Sequence, residues 1–153
     1  MMNNWEKYVM QKAYAEIYVN NNATTASIPT GSAFTKIALT NSVKGNTKNC
    51  DVNLTNGEIT IQKKGLYSVN CTFSSKLATS DVLFDTAVFV NGVEAPNLHM
   101  QRRFSTSGYV FNIAMMGELN LVAGDIIDIR VKHNSASAVV ITTVYANMNI
   151  VKN

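Results

Sequence analysis

Charge is scarce in this sequence. Its 13 basic and 10 acidic residues make up 15% of 153, with a formal net charge of +3, where an average soluble domain carries roughly 25% charged residues. Uncharged groups must therefore supply the polar surface, and 19 Asn, 14 Thr and 11 Ser are present to do so. No apolar run approaches the roughly 18 residues that span a bilayer, so membrane insertion is not expected. The opening Met1-Met2-Asn3-Asn4-Trp5-Glu6-Lys7 lacks the basic-then-apolar order of a secretory signal. The densest basic spots, Lys63-Lys64 and Arg102-Arg103, are too short to track a phosphate backbone, and nucleic acid is not an expected partner.

Chemistry-bearing residues are just as sparse. Only two histidines occur, His99 and His133, in no His-x-His or similar ligand spacing, so they read as surface residues rather than metal ligands. No Gly-x-Ser-x-Gly elbow, P-loop or Cys-His pair at usable spacing appears. Asp81, Asp85, Asp125 and Asp128 are the carboxylates from which a loop-apex calcium site would be built, although strand-end carboxylates usually form turns or stay solvated. Two cysteines, Cys50 and Cys71, permit at most one bridge and read by default as free thiols. The expectation is a protein with no catalytic residues, no metal site and no cofactor.

What is abundant is strand signal, spaced by about 8 to 12 residues, which favours an antiparallel sandwich or barrel. Between Leu66 and Ser74, Tyr67, Val69, Cys71 and Phe73 alternate with Ser68, Asn70, Thr72 and Ser74, the period of a strand covered on one side. Asp81 to Val90 closes on Asn91-Gly92, a strong hairpin signal because both residues tolerate positive φ. Further strands are expected at Tyr14 to Val19, Ala23 to Ile28, Phe34 to Leu39, Tyr109 to Met116, Glu118 to Val122, Ile126 to Val131 and Val139 to Ile150. A chain of this length buries close to 70% of its unfolded surface as one domain, here residues 13–153. Residues 1–12 read differently: Trp5, Tyr8 and Val9 fit one helical face, either as a frayed terminus or as a docking arm that covers an otherwise exposed Trp.

Three of these strands, at Val82 to Val90, Tyr109 to Met116 and Val139 to Ile150, are apolar on both parities. Two apolar faces require cover on both sides. That cover comes either from the chain's own loops or from further copies of the sheet.

Ile59-Thr60-Ile61 followed by Gly65-Leu66-Tyr67-Ser68-Val69 resembles a core strand of the tumour necrosis factor and complement globular-head superfamily. Phe89-Val90-Asn91-Gly92 resembles that family's hairpin, and Gly117 to Val131, with Gly124-Asp125 at its turn, resembles a third segment in the same order. The resemblance covers roughly residues 55 to 150, with Tyr67, Val69, Gly124 and Asp125 as its core motif. It implies an all-β, ten-stranded antiparallel jelly roll and a homotrimer packed around an apolar axis. By strand parity the axis candidates are Phe111, Met115 and Tyr145, with Ile141 and Phe89 beside them.

The stretch Ala15 to Thr24 is similar to the opening of such domains in bacteriophage structural proteins. The resemblance therefore implies a virion protein, such as a capsid-bound head fibre, a decoration protein or a fibre knob. Its partners would be its own copies, capsid proteins reached through Trp5, Tyr8 and Val9, and a host-surface glycan met by the loops Asn41 to Asn49, Val93 to Arg103 and Ser105 to Gly108. Phe104 and Tyr109 are the nearest aromatic residues for sugar stacking, though both also suit a core. Two rival readings are a bacterial surface or spore-coat trimer, and a jelly-roll carbohydrate enzyme with paired carboxylates.

Overall fold

The computed structural model describes residues 11–31, 33–37, 39 and 41–153. Trp5, Tyr8 and Val9 lie outside the described residues. Eleven strands follow in chain order: β1 Tyr14–Ile28, β2 Thr35–Lys36, β3 Val43–Lys44, β4 Cys50–Asn53, β5 Glu58–Ile61, β6 Gly65–Leu77, β7 Val82–Val90, β8 Val93–Phe104, β9 Val110–Leu121, β10 Ile126–His133 and β11 Val139–Lys152. They form two antiparallel sheets, a five-stranded one ordered β3-β1-β11-β6-β9 and a six-stranded one ordered β4-β5-β10-β7-β8, with β2 pairing on β10. This is a jelly-roll β-sandwich.

Alternation along each strand sends one set of side chains between the sheets. Ile17, Tyr67, Val69, Cys71, Met148 and Ile150 come from the five-stranded sheet and meet Phe84, Leu98, Ile127 and Val131 from the six-stranded one. Tyr67 is fully buried, and its hydroxyl donates to the Lys63 carbonyl at 2.6 Å, so the ring fills the core while its one polar atom stays paired. At the opposite end of the core the rings of Phe84, Phe104 and Phe111 pack together, Phe104 and Phe111 with centroids 4.0 Å apart.

Tertiary structure merges or converts several expected elements. Tyr14 to Val19 and Ala23 to Ile28 are one strand, broken by a bulge between Asn20 and Thr24 where Asn21 takes φ 48°. Tyr109 to Met116 and Glu118 to Val122 also join, running through Gly117. A Cβ there would come within 2.9 Å of a Leu98 methyl, so a larger residue would require the Leu98 side chain to shift. Val93 to Arg103, expected as a loop, is edge strand β8, and among the described residues of Phe34 to Leu39 the strand is Thr35–Lys36, followed by an Ile37 amide that donates to the Ile129 carbonyl at 3.2 Å.

The motif residues assemble into one knot. Asn91 and Gly92 take φ 51° and 80°, closing β7 on β8 with Val90 opposite Val93. Gly124 takes φ 96°, and the Asp125 carboxylate accepts from the Val122 amide and from the Asn91 side chain, each at 2.8 Å. Asn91 in turn accepts from the Ile126 amide at 2.9 Å. Two turns more than 30 residues apart in sequence are thereby tied side by side.

Of the double-faced strands only β7 buries both sides, and the chain covers it unaided. Its outward residues Asp85, Ala87 and Phe89 lie beneath Phe34, whose ring meets Phe89 edge-on at 5.0 Å, and beneath His99, Arg130 and Lys132. In β9 the second parity is mostly exposed. In β11 a bulge between Thr143 and Tyr145 reverses the alternation, so Val139, Ile141 and Thr143 point inward before it and Ala146, Met148 and Ile150 after it. Strict parity, carried past that bulge, misassigns the first half of the strand. The excess of apolar sheet expected from the sequence is therefore much smaller than a count of parities implies.

Candidate functional site

The outward face of the five-stranded sheet is built from three cross-strand rows. Asn20, Tyr145, Ser74 and Asn112 form the first, Tyr18, Asn147, Thr72 and Ala114 the second, and Glu16, Asn149, Asn70 and Met116 the third. The bulges of β1 and β11 adjoin here and leave a shallow depression of about 640 Å³ floored by Phe73 and Ala146 and rimmed by Tyr18, Tyr145, Asn112 and Asn147. Hydrogen bonds hold the polar side chains in place: Asn147 donates to Glu16, and Ser74 to Asn112, both at 2.6 Å. On the same face Met116 is 78% exposed and Tyr145 47%.

Of the five axis candidates, Tyr145 alone lies on this open face. Phe111, Met115 and Ile141 turn into the chain's own core, and Phe89 is buried under Phe34 and Arg130. The open face carries the opposite parity of β9, so Met116 and Ala114 stand where Met115 and Phe111 were expected. Tyr18 was not singled out from the sequence; its register opposite Asn147, beside Tyr145, becomes visible only once β1 pairs with β11.

The six-stranded sheet's outward face is different in kind. Asp128 is buried and accepts from Arg130 through both carboxylate oxygens at 2.7 and 3.0 Å, while Lys36 bridges Asp128 and Glu58. Burial pulls the Lys36 ammonium down, but its hydrogen bonds to Glu58 and Asp128 outweigh this and hold it above its ordinary value. The bond to Asp128 likewise raises Arg130. His99 sits between two carboxylates, Nδ1 at 2.7 Å from Glu94 and Nε2 at 2.8 Å from Asp85. His133 is buried, not at the surface: its Nε2 lies 3.0 Å from the Ile28 carbonyl and its Nδ1 accepts from the Ser135 amide. The four carboxylates weighed for calcium are each engaged within the chain: Asp81 by Arg103, Asp85 by His99 and Gln101, Asp125 by Val122 and Asn91, and Asp128 by Arg130 and Lys36. Cys50 and Cys71 are free and buried.

The sandwich has two unlike ends. β1 begins at Tyr14, opposite Val151, and the amide of Lys152 donates to Ala13, so β1 starts at the end that also holds the Asn91 and Gly124 turns. The other end gathers Pro29 to Gly31 and Ala33, Ala78 to Asp81, Ser105 to Tyr109 and Asn134 to Ala138. Of the three expected recognition loops only Ser105 to Gly108 lies there. Asn41 to Asn49 runs along β1, with Lys48 paired to Tyr14, and Val93 to Arg103 is strand. Phe104 is core, whereas Tyr109 is 74% exposed.

Comparison with solved structures places this architecture. The chain superposes on the Eiger TNF of S. frugiperda with a TM-score of 0.62 at 12% identity, over 92% of this chain and 93% of that one. It matches the globular domain of zebrafish complement 1qA protein with a TM-score of 0.59 at 18% identity, covering 90% and 94% of the two chains. PRD1 vertex protein P5 matches with a TM-score of 0.54 at 15% identity, over 92% and 96%. No protein-family model and no curated protein sequence matches the chain. The fold is that of the tumour necrosis factor and complement globular heads, a class that includes a viral vertex protein. The neighbours named here are a cytokine, a complement domain and a virion component rather than enzymes.

Proposed function

We propose that this chain is a non-enzymatic, homotrimeric structural protein of a bacteriophage particle: a capsid-attached head fibre, a decoration protein or a fibre knob. The observation that carries this reading is the open face of the five-stranded sheet, where Tyr18, Tyr145, Ala114 and Met116 stand exposed or half-exposed above hydrogen-bonded Asn, Ser and Thr. Burying Met116, 78% exposed, and the exposed half of Tyr145 contributes at most about 1.5–3 kcal/mol apiece in each copy, working against about 4–15 kcal/mol of translational and rotational freedom that each association step loses. The likeness to a phage vertex protein over nearly all of both chains supports placing the trimer on a virion.

In this reading residues 1–12, with Trp5, Tyr8 and Val9, dock the domain to capsid proteins, and residues 13–153 form the jelly roll. The loop end opposite the amino-terminal segment then faces the host. Light scattering on the purified protein should give about 50 kDa, three times the 16.7 kDa chain. A single 17 kDa species at micromolar concentration contradicts the trimer. Deleting Met1 to Lys12 should leave the trimer intact and abolish its incorporation into particles.

A further inference from the structure

The loop end holds a cleft of about 290 Å³ at the seam where β8, the edge of one sheet, faces β9, the edge of the other. It is lined by Arg102, Arg103, Ser105, Thr106, Tyr109 and Val110. We propose that this cleft binds an anionic glycan, a saccharide bearing carboxylate or phosphate groups; the proposal rests on the host-facing reading above and names the ligand of that end.

Four observations converge on it. The first is the aromatic ring. Tyr109 follows Gly108, whose φ of 78° turns the chain back while its amide donates to the Leu77 carbonyl at 2.8 Å, and this lifts the ring out of the core. Tyr109 is 74% exposed and its neighbour Val110 62%, the most exposed aromatic residue among the described ones beside an exposed aliphatic. A ring presented this way offers an apolar face to the C–H side of a pyranose while its hydroxyl reaches the rim.

The second is charge. Arg102 donates through Nη1 to the Asn112 carbonyl at 2.8 Å, which pins the guanidinium at the seam and uses one of its five N–H donors. Arg103 is held by Asp81 through Nε and Nη2 and remains 70% exposed at its side chain. Two arginines therefore meet one carboxylate at the cleft, and the Nε–Nη2 edge of Arg102 remains free to grip a carboxylate or phosphate with two parallel bonds.

The third is the lining between ring and cations, the hydroxyls of Ser105 and Thr106, which both donate and accept and so match sugar hydroxyls. The loops around it continue in kind, with Thr79, Ser80, Ser107, Ser135 and Ser137, and Asp81 as their one charge among the described residues. The fourth is scale. A cleft of this volume admits one or two saccharide units, whereas a single-stranded nucleic acid is followed by a longer basic groove with repeated aromatic platforms.

The test uses the full-length protein in a calorimetric titration against four probes: a sugar-phosphate polymer, an oligogalacturonate, a neutral hexasaccharide and a single-stranded thymidine oligomer. The phosphate and carboxylate probes separate the two sources of anionic charge, and saturable binding of either supports the proposal when the neutral sugar binds at least about tenfold more weakly. Arg102→Ala and Tyr109→Ala, both at exposed positions, should each weaken binding at least about tenfold, with Arg102→Lys intermediate because it keeps charge but not the fork. Equal binding of the neutral sugar, binding of the oligonucleotide alone, no binding by any saccharide, or variants that bind like the parent would each overturn the proposal. Light scattering and particle incorporation of the same preparations keep the two readings apart. A trimer that joins particles yet binds no glycan overturns the site alone, whereas a monomer overturns the reading on which it rests.

Discussion

The two outward faces of this sandwich solve the same problem with different side chains. The six-stranded sheet collects charge, with Glu58, Asp85, Glu94 and Asp128 paired to Lys36, Arg130 and His99, and roofs its apolar strand with Phe34. The five-stranded sheet carries mostly Asn, Ser and Thr, with Tyr18, Tyr145 and Met116 among them. Ion pairs that are already satisfied have little left to offer a partner, and separating them exposes buried charge. Neutral amides and hydroxyls lose far less on desolvation, especially where they bond to one another. The charged face is thus closed by its own chain, and the neutral face is the one that another copy can cover at low cost.

The sharpest way to break this contrast is to compare Phe111 with Tyr145. Phe111→Ala removes a ring from the Phe84–Phe104–Phe111 cluster and should cost the fold about 3–5 kcal/mol in a urea melt. Tyr145→Asp should leave that melt nearly unchanged under monomeric conditions and reduce the light-scattering mass to that of one chain. If Phe111→Ala instead spares the fold and abolishes assembly, the inward face has been misassigned.

A smaller effect is expected at Asp128. Replacing it with Ala takes both carboxylate bonds from Arg130 and leaves Lys36 with Glu58 alone, the two cationic side chains being 24% and 31% exposed. Because water reaches both, the loss should be about 2 kcal/mol, below the roughly 3–5 kcal/mol of a fully buried pair. Thermal unfolding of Asp128→Ala against Asp128→Asn measures it, and a melt equal to the parent's would show that Phe34 covers β7 without help from the ion pairs.

The mildest perturbation is alkaline. Burial pushes Cys71 and Tyr67 up to about 12, and Cys50 up to about 11, from ordinary values of 9.0 for thiols and 10.0 for phenol. Each group stays protonated in the folded chain at a pH where the unfolded chain has released its proton. Their contribution is therefore complete below pH 9 and is lost as pH rises through 11 to 12. The urea midpoint should decline across that window, and Cys71→Val should flatten part of the slope. A midpoint that stays constant to pH 12 would mean that these groups ionise without unfolding the chain.

Much of the core was legible from local pattern. Tyr67, Val69, Cys71 and Phe73 alternate cleanly because β6 lies mid-sheet with one covered face, and Asn91-Gly92 and Gly124-Asp125 announce turns because few other residues take those backbone angles. The open face was not legible. Its residues were misassigned in β11 because a bulge adds one residue and reverses inside and outside for the rest of the strand, and nothing in a run such as Val139 to Ile150 marks where that happens. The Phe34 roof was equally hidden, since a lone aromatic in an irregular segment has no period to read.

The sequence by itself determined that this would be an antiparallel β-sandwich with few charges, because alternation, turn chemistry and the shortage of charge are properties of neighbouring residues. Only the tertiary structure decided which parity faces out, that Asp125 and Asn91 would hold two distant turns together, and that Arg102 and Tyr109 would share a cleft. Those outcomes depend on strand register and on the pairing of segments far apart in the chain, and a one-residue shift in register exchanges every buried side chain for an exposed one.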